Sequence, residues 1–169
     1  MDIVVWGYIF TAVNYVFYCI SRFMYSKKDI LFLNLFAKVF TVLGLYCMGS
    51  MTGVGVMSLN FIVCILCYLK ERNQWKMHVV YWLLIGILIT ILVNTFAGIS
   101  SLLVFTTSIL NLTANWWLPP QQMRMTAAAG SVLYLLYQIS IANWAGLLEV
   151  FSFGSNLLSW LRYREKKTA

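Results

Sequence analysis

Two charged residues lie inside long apolar stretches, and they are the first candidates for chemistry in this chain. Lys38 and Glu149 each stand several residues from the nearest polar end of the stretch that contains them. In a hydrocarbon layer a charge costs about 2.5–3.5 kcal/mol on insertion scales, so such residues usually face protein or water. Their depths along the stretches allow an ion pair that opens when a substrate or proton arrives. A static pair, or a protonated Glu149 with Lys38 directed towards the inner surface, is the simpler interpretation.

Polar uncharged residues recur through the same stretches, and most of them are expected to join helices. A hydrogen bond between helices in a bilayer averages only about 0.6 kcal/mol. Asn is costlier to bury than Ser or Thr, so Asn60 and Asn156 are the better candidates for contact with a polar ligand. The alternative, that both amides only join helices, stays open.

The residue types that enzymes and metal sites need are not combined here. Cys64 and Cys67 have a metal-like spacing, but they lie within one apolar stretch, without a second cysteine pair or a histidine nearby. Zinc needs four nitrogen or sulfur ligands, so these thiols are expected to pack in a core. The single histidine, His78, has no nucleophile or carboxylate partner in the sequence. We therefore expect no enzymatic activity, no cofactor and no metal.

Composition indicates where these residues are held. The chain has 169 residues, of which 62% are hydrophobic and 10% are charged. Soluble domains carry about 25% charged residues, so this supply could not build a water-facing surface. The net charge of +7 is better explained by contact with anionic lipid headgroups than by nucleic acid. The chain is predicted to be an integral membrane protein, with the bilayer as its partner.

Seven apolar segments are long enough to cross a hydrocarbon layer about 30 Å thick as helices. They cover residues 3–20, 30–48, 54–69, 79–96, 99–116, 120–140 and 143–161. Only Met1 and Asp2 precede the first segment, so it is expected to be a retained span and not a signal peptide. Residues 94–98 could form a turn or a kink in one longer helix; a kink would leave six spans and break the charge pattern.

Lys and Arg occupy alternate gaps between these segments, and Lys38 is the one exception. The residues in these gaps and the tail are Arg22, Lys27, Lys28, Lys70, Arg72, Lys76, Arg124, Arg162, Arg164, Lys166 and Lys167. Cytoplasmic loops retain positive charge during insertion, so the N-terminus is predicted outside and the C-terminus inside. In the fifth gap, Gln121, Gln122 and Arg124 could line a cytoplasmic mouth, although a loop that only sets the topology is the simpler interpretation.

A faint internal repeat groups the segments. Leu-Tyr precedes an outer turn that ends at Gly53, and Leu-Tyr again precedes one that ends at Gly146; a basic exit follows each next segment. This predicts a first triple-helix bundle over residues 1–78, a linker helix over 79–98 and a second bundle over 99–169. An odd linker makes the two bundles parallel, and carriers of this layout bind their substrate between the repeats.

The repeated segments also resemble a known family. Residues 46–69, with Thr-Gly, Ser-Leu-Asn and a basic exit, and residues 133–164, with Leu-Tyr-Leu-Leu-Tyr, Trp-Ala-Gly and Leu-Arg-Tyr, resemble the YgjV-like bacterial inner-membrane family. More distantly, the 3+1+3 layout is similar to the PQ-loop-like triple-helix-bundle transporters, including SWEET and PnuC carriers. That resemblance implies a substrate site to which Asn60 and Asn156 contribute, with Ser152 closer to the equivalent depth.

These observations predict an all-α integral membrane protein of seven transmembrane helices, multi-pass in a bacterial inner membrane. It would move a small polar solute, sugar- or vitamin-like, through an axial cavity between the two bundles, with Glu149 as a charge or proton site. The alternative is a non-transporting membrane protein that binds a protein or peptide partner, as a regulator or an immunity-type factor does. A homodimer is compatible with this layout, but two bundles in one chain do not require it.

Overall fold

A computed structural model describes residues 2–75, 78–94, 96 and 98–165. Over these residues the chain is helical and contains no strand, which confirms the all-α prediction. The helices are α1 (Ile3–Arg22), α2 (Lys27–Cys47), α3 (Met51–Asn73), α4 (His78–Asn94), α5 (Ile99–Trp117), α6 (Pro120–Ser140), a 3₁₀ helix (Trp144–Leu148) and α7 (Glu149–Glu165). Lys76, Lys166 and Lys167, three of the basic residues in the charge pattern, lie outside the described residues.

Hydropathy separates the first half of the chain from the second. Within the described residues, three helices are long and apolar enough to cross a membrane: Ile3–Arg22, Lys27–Cys47 and Gly53–Asn73. The helix His78–Asn94 is apolar but shorter. The helices α5 and α6 carry more Ser, Thr, Asn and Gln than these three helices do. Their polar faces therefore need protein neighbours in a bilayer.

Six of the helices form a ring. In order around it, α1 packs on α2, α2 on α3, α3 on α5, α5 on α6, α6 on α7, and α7 on α1 again. The fourth helix lies outside the ring, against α3 and α5. Each half of the chain thus supplies a row of three helices in sequence order, and the grouping of these rows into two separate bundles stays a prediction.

Contacts between the rows show that they run in the same direction. On α3 and α5, Asn60 contacts Ser108 and, further along both helices, Lys70 donates to the Trp116 carbonyl at 2.6 Å. The helices α3 and α5 are therefore parallel.

The second contact between the rows joins α1 to α7, and these two helices are also parallel. Glu149 opens α7 beside Tyr15 of α1, and near the other end of α7 the Tyr163 hydroxyl donates to the Phe23 carbonyl at 2.6 Å. The helices α1, α3, α5 and α7 all run in one direction.

As a consequence, the basic gaps meet at one end of the ring. We call this the basic end; its described basic residues are Arg22, Lys27, Lys28, Lys70, Arg72, Arg124 and Arg162. The opposite end holds the start of α1 and the connections α2–α3 and α6–α7. Which end faces the cytoplasm stays a prediction from the charge pattern.

The connection between the fourth and fifth helices is a turn and not a kink. The helix α4 ends at Asn94, and α5 begins at Ile99 after Gly98, whose φ of +91° is a conformation that favours glycine. The start of α4 packs on the end of α5, because His78 stacks on Trp117 with ring centroids 5.0 Å apart. The two helices are therefore antiparallel.

The seventh predicted span differs from the structure in its first residues. The sequence predicts one helix over 143–161, whereas residues Trp144–Leu148 form a 3₁₀ helix and α7 begins at Glu149. Ala142, just before this segment, has a φ of +54°, so the chain turns sharply out of α6. This 3₁₀ helix packs against α1 and α6 before the regular helix starts.

Candidate central site

A cavity of about 40 Å³ lies between the helices of the ring. All six ring helices line it, and α4 does not. Its lining residues are Asn14, Tyr15, Tyr18, Lys38, Thr41, Met57, Thr107, Asn111, Ala127, Gly130, Ser131, Tyr134 and Glu149. Most of these side chains are polar or charged, which is costly in the interior of a membrane protein and typical of a functional site.

The size of the cavity limits what it can hold in this conformation. About 10–15 Å³ is enough for one water molecule, so 40 Å³ accommodates a few waters or a small ion. Sites for drug-sized ligands usually measure about 300–1,000 Å³. A solute of sugar or vitamin size therefore requires the ring helices to move apart.

Glu149 reaches the cavity because the preceding 3₁₀ helix is fixed against α6. Asn143 donates from Nδ2 to Oε1 of Gln138 at 2.8 Å, and the absence of a side chain at Gly146 lets the backbone lie directly on Gln138. Glu149 is the first residue of α7 and is only 6% exposed. The Glu149 backbone N–H donates to the Gly146 carbonyl, so the 3₁₀ helix continues directly into α7.

Hydroxyl groups surround this carboxylate. Those of Ser131, Tyr15 and Ser152 lie close to Glu149, and the Ser131 and Ser152 oxygens are 3.2 Å apart. Ser152 is fully buried behind the cavity wall. The arrangement could stabilise either an ionised Glu149, by hydrogen bonds from the hydroxyls, or a protonated one that donates to them.

Lys38 lines the same cavity, but it does not form an ion pair with Glu149. The two groups interact electrostatically, while in the described part of the chain the salt bridge within 4.0 Å joins Lys27 to Glu71, at 3.7 Å. The structure thus brings Lys38 and Glu149 to one cavity, where they remain apart.

Two tyrosines of the site were not singled out from the sequence. The Tyr134 hydroxyl is buried and finds no hydrogen-bond partner among the described residues, whereas the Tyr15 hydroxyl lies beside Glu149 and Gln138. Buried tyrosine hydroxyls usually have a partner, so the Tyr134 oxygen is available to a polar ligand. A signal was present in the sequence, because Asn14, Tyr15 and Tyr18 recur at the spacing of one helix face.

The structure places the two candidate asparagines away from the cavity wall. Asn60 is 4% exposed and donates to Ser108 Oγ at 2.9 Å, which joins α3 to α5. Asn156 is fully buried and donates to the Ser152 carbonyl of its own helix at 2.9 Å. The Asn156 Oδ1 has no hydrogen-bond partner in the described structure. Neither residue is part of the cavity lining.

The residues of the predicted cytoplasmic mouth have different surroundings. Arg124 is 2% exposed and donates to the backbone carbonyls of Arg22, at 3.2 Å, and Met24, at 2.7 Å, so it holds the end of α1. Gln121 accepts a hydrogen bond from Arg124 and donates to a carbonyl of α7, while Gln122 is exposed.

An open cleft of about 520 Å³ lies at the basic end. Its lining residues are Tyr25, Ser26, Lys27, Glu71, Trp117, Leu118, Pro119 and Pro120. The connections α1–α2 and α5–α6 and the end of α3 therefore border this cleft. Gln121, Gln122 and Arg124 do not contribute to it.

The cysteines are part of the packed interior. Cys64 and Cys67 are buried and free, and the Cys64 thiol lies 3.5 Å from the Leu31 carbonyl. Among the described residues no group of three or more His, Cys, Asp or Glu side chains is placed to hold a metal ion.

The comparisons with known proteins give a family and no individual relative. A family model described as a bacterial inner membrane protein, Imp-YgjV, matches residues 5–167. No curated protein and no solved structure matches the chain. The more distant similarity to SWEET and PnuC carriers therefore stays a prediction.

Proposed function

This chain belongs to the Imp-YgjV family of bacterial inner membrane proteins, and from that premise we propose that it moves a small polar solute across the inner membrane through its central cavity. The observation that carries the proposal is the position of this cavity. It lies within a ring of six helices, to which each half of the chain contributes a row of three. The two rows run in the same direction. Carriers built from parallel repeats bind their substrates between the repeats.

The lining residues suggest how a solute would be held. The Tyr134 hydroxyl offers a hydrogen bond that no protein group satisfies in the described structure, and the Tyr15 hydroxyl lies beside Glu149. Glu149 on α7 supplies a charge or a proton site, and Lys38 on α2 supplies the opposite charge. Both charges would lose solvation in a dry core, so a wet cavity also explains why they are tolerated.

The proposal requires that the cavity be reached by water from each side at some stage of a cycle. Asn111 is a suitable reporter because it lines the cavity, and its neighbour Leu112, which is fully buried, is a matched control on the same helix. With the four native cysteines replaced by alanine, single cysteines are introduced at these two positions. A membrane-impermeant maleimide is then applied to spheroplasts and to inside-out vesicles.

We expect Asn111→Cys to be labelled from both sides and Leu112→Cys to remain unlabelled, because only the former faces the cavity. Labelling from both sides would justify a screen of small solutes in proteoliposomes. If Asn111→Cys is folded and inserted but unreactive from either side, the cavity is closed and transport through it is excluded. The interpretation as a binding protein for a protein or peptide partner would then be preferred.

A further inference from the structure

We propose that the interior of the basic end contains a binding site for a small oxyanion, a phosphate or a carboxylate, with Arg22 as its principal donor. This site goes beyond the central cavity and lies next to it. The inference depends on the burial of Arg22, on its unused N–H groups and on the charges around it.

Arg22 is buried more deeply than an unpaired arginine usually is. Its side chain is 2% exposed, and its Nε and Nη1 groups have no hydrogen-bond partner among the described residues. The guanidinium lies 4.0 Å above the ring of Tyr18. An aromatic face favours the cation but does not satisfy its N–H groups in the guanidinium plane. Each of these two groups forms, together with Nη2, one of the two edges through which a guanidinium binds two oxygens of one anion.

Arg124 provides a comparison within the same end of the ring. It is equally buried, yet its three kinds of nitrogen all donate: Nε to the Arg22 carbonyl, Nη2 to the Met24 carbonyl and Nη1 to Gln121 Oε1. The N–H groups of Arg124 are therefore satisfied by protein acceptors. One of these acceptors is the backbone carbonyl of Arg22, so Arg124 fixes the backbone at Arg22.

The charges near Arg22 are positive. Arg22 interacts electrostatically with Arg124 on one side and with Lys38 on the other. Among the residues whose side chains the structure describes, the salt bridge at this end joins Glu71 to Lys27 and does not involve Arg22. Buried charges are normally compensated. An anion bound at Arg22 would supply the missing negative charge.

The same residue connects this site with the cavity. Tyr18 lines the cavity and also lies under the Arg22 guanidinium. An anion at Arg22 would thus lie between the cavity and the basic end. If the proposed transport occurs, this position makes a small anion the solute class; binding itself does not depend on transport.

The test measures thermal unfolding of the purified full chain in a maltoside detergent free of phospholipid. Sodium phosphate, and separately sodium acetate, is titrated against sodium chloride at constant ionic strength. We expect a saturable rise of the unfolding midpoint with at least one of the two anions. Arg72→Gln, which removes an exposed charge of the basic end, should leave the half-saturating concentration unchanged. Arg22→Gln should abolish the rise.

Arg22→Lys keeps the charge without the planar donors, and we expect it to raise the half-saturating concentration at least tenfold; it also serves if Arg22→Gln fails to fold. A second titration with phosphatidylglycerol in mixed micelles identifies the source of the oxyanion. A response to this lipid alone, lost in the Arg22 variants, assigns the site to a lipid headgroup. The proposal is wrong if no anion or lipid raises the midpoint, or if the Arg22 variants respond as the unmodified protein does. Neither result would affect the labelling of Asn111→Cys.

Discussion

At the scale of single residues, the polar side chains of the ring fall into two groups. Some join neighbouring helices, as Asn60 and Ser108 do between α3 and α5. Others face the cavity, as Lys38 and Glu149 do. The two groups make different demands on the protein, because helix-joining residues affect stability while cavity residues are available for a solute.

The role of Asn60 as a helix-joining residue can be measured by a double-mutant cycle. We expect Asn60→Ala to lower the free energy of unfolding, with a coupling to Ser108→Ala of about 0.6 kcal/mol and at most about 1.7 kcal/mol. The reason is the single 2.9 Å hydrogen bond between the two side chains, both of which are buried. Equilibrium unfolding in mixed micelles of the four proteins gives the coupling. A coupling free energy indistinguishable from zero would mean that Asn60 and Ser108 do not stabilise each other. A role of Asn60 in ligand binding would then be considered again.

Residue type and depth were enough to identify Lys38 and Glu149 as unusual, but not to place Asn60 and Asn156. A helix buries residues on every side that packs against another helix. The sequence does not show which of its buried faces lines the interior of the ring. Asn60 is directed to α5, where its partner Ser108 lies 48 residues further along the chain, and no local pattern in the sequence relates the two helices. For this reason the carry-over of a ligand role to the two asparagines remains a prediction, whereas the face of α1 with Asn14, Tyr15 and Tyr18 was readable from its spacing.

At the scale of elements, the 3₁₀ helix Trp144–Leu148 is the segment that positions Glu149. Hydropathy predicted one continuous span there, since an apolar 3₁₀ turn and an apolar α-helix have the same composition. The difference depends on a packing contact that composition does not contain. Gly146 lies against the side chain of Gln138 so closely that a Cβ there would overlap it.

This contact makes Gly146→Ala and Gly154→Ala an informative pair. A Cβ at Gly146 would overlap Cβ and Cγ of Gln138, whereas one at Gly154, in α7, meets no atom within 4 Å. We expect Gly146→Ala to cost about 1–3 kcal/mol of stability through overpacking. Gly154→Ala should be neutral or stabilising by up to about 1 kcal/mol, because alanine is the better helix former.

Thermal unfolding of both variants in the same detergent checks the expectation. The unfolding midpoint should fall for Gly146→Ala and remain or rise for Gly154→Ala. Equal midpoints would mean that the 3₁₀ helix can move away from α6 without loss, and that Glu149 is not held in the way described.

At the scale of the whole molecule, the closed ring is the feature that the sequence predicted least. Alternating basic gaps and seven apolar segments indicated an up-and-down order of helices, and the faint repeat indicated two halves of three. The closure depends on α3 packing against α5 and α7 against α1, which are contacts between distant segments. The exterior position of α4 had a clearer basis: it is apolar on nearly all sides, and Val79 and Val93 are more than 70% exposed.

The orientation of the ring follows from the distribution of charge between its ends. The described Lys and Arg residues other than Lys38 lie at the basic end, and each basic residue near an anionic cytoplasmic surface contributes about 1 kcal/mol. We therefore expect the basic end to face the cytoplasm. Exposed positions suit a test by cysteine labelling: Met51 and Ser140 at the opposite end, and Asn73 and Gln122 at the basic end.

In the cysteine-free background, an impermeant maleimide should label Met51→Cys and Ser140→Cys in spheroplasts, and Asn73→Cys and Gln122→Cys only in inside-out vesicles. If the labelling pattern is inverted at all four positions, the ring is correct but its orientation in the membrane is the opposite one. The Arg22 site would then face the periplasm. A split within either pair would contradict the ring itself, because both members of a pair lie at the same end of helices that run up and down together. The four labels thus test the direction of the chain separately from its packing.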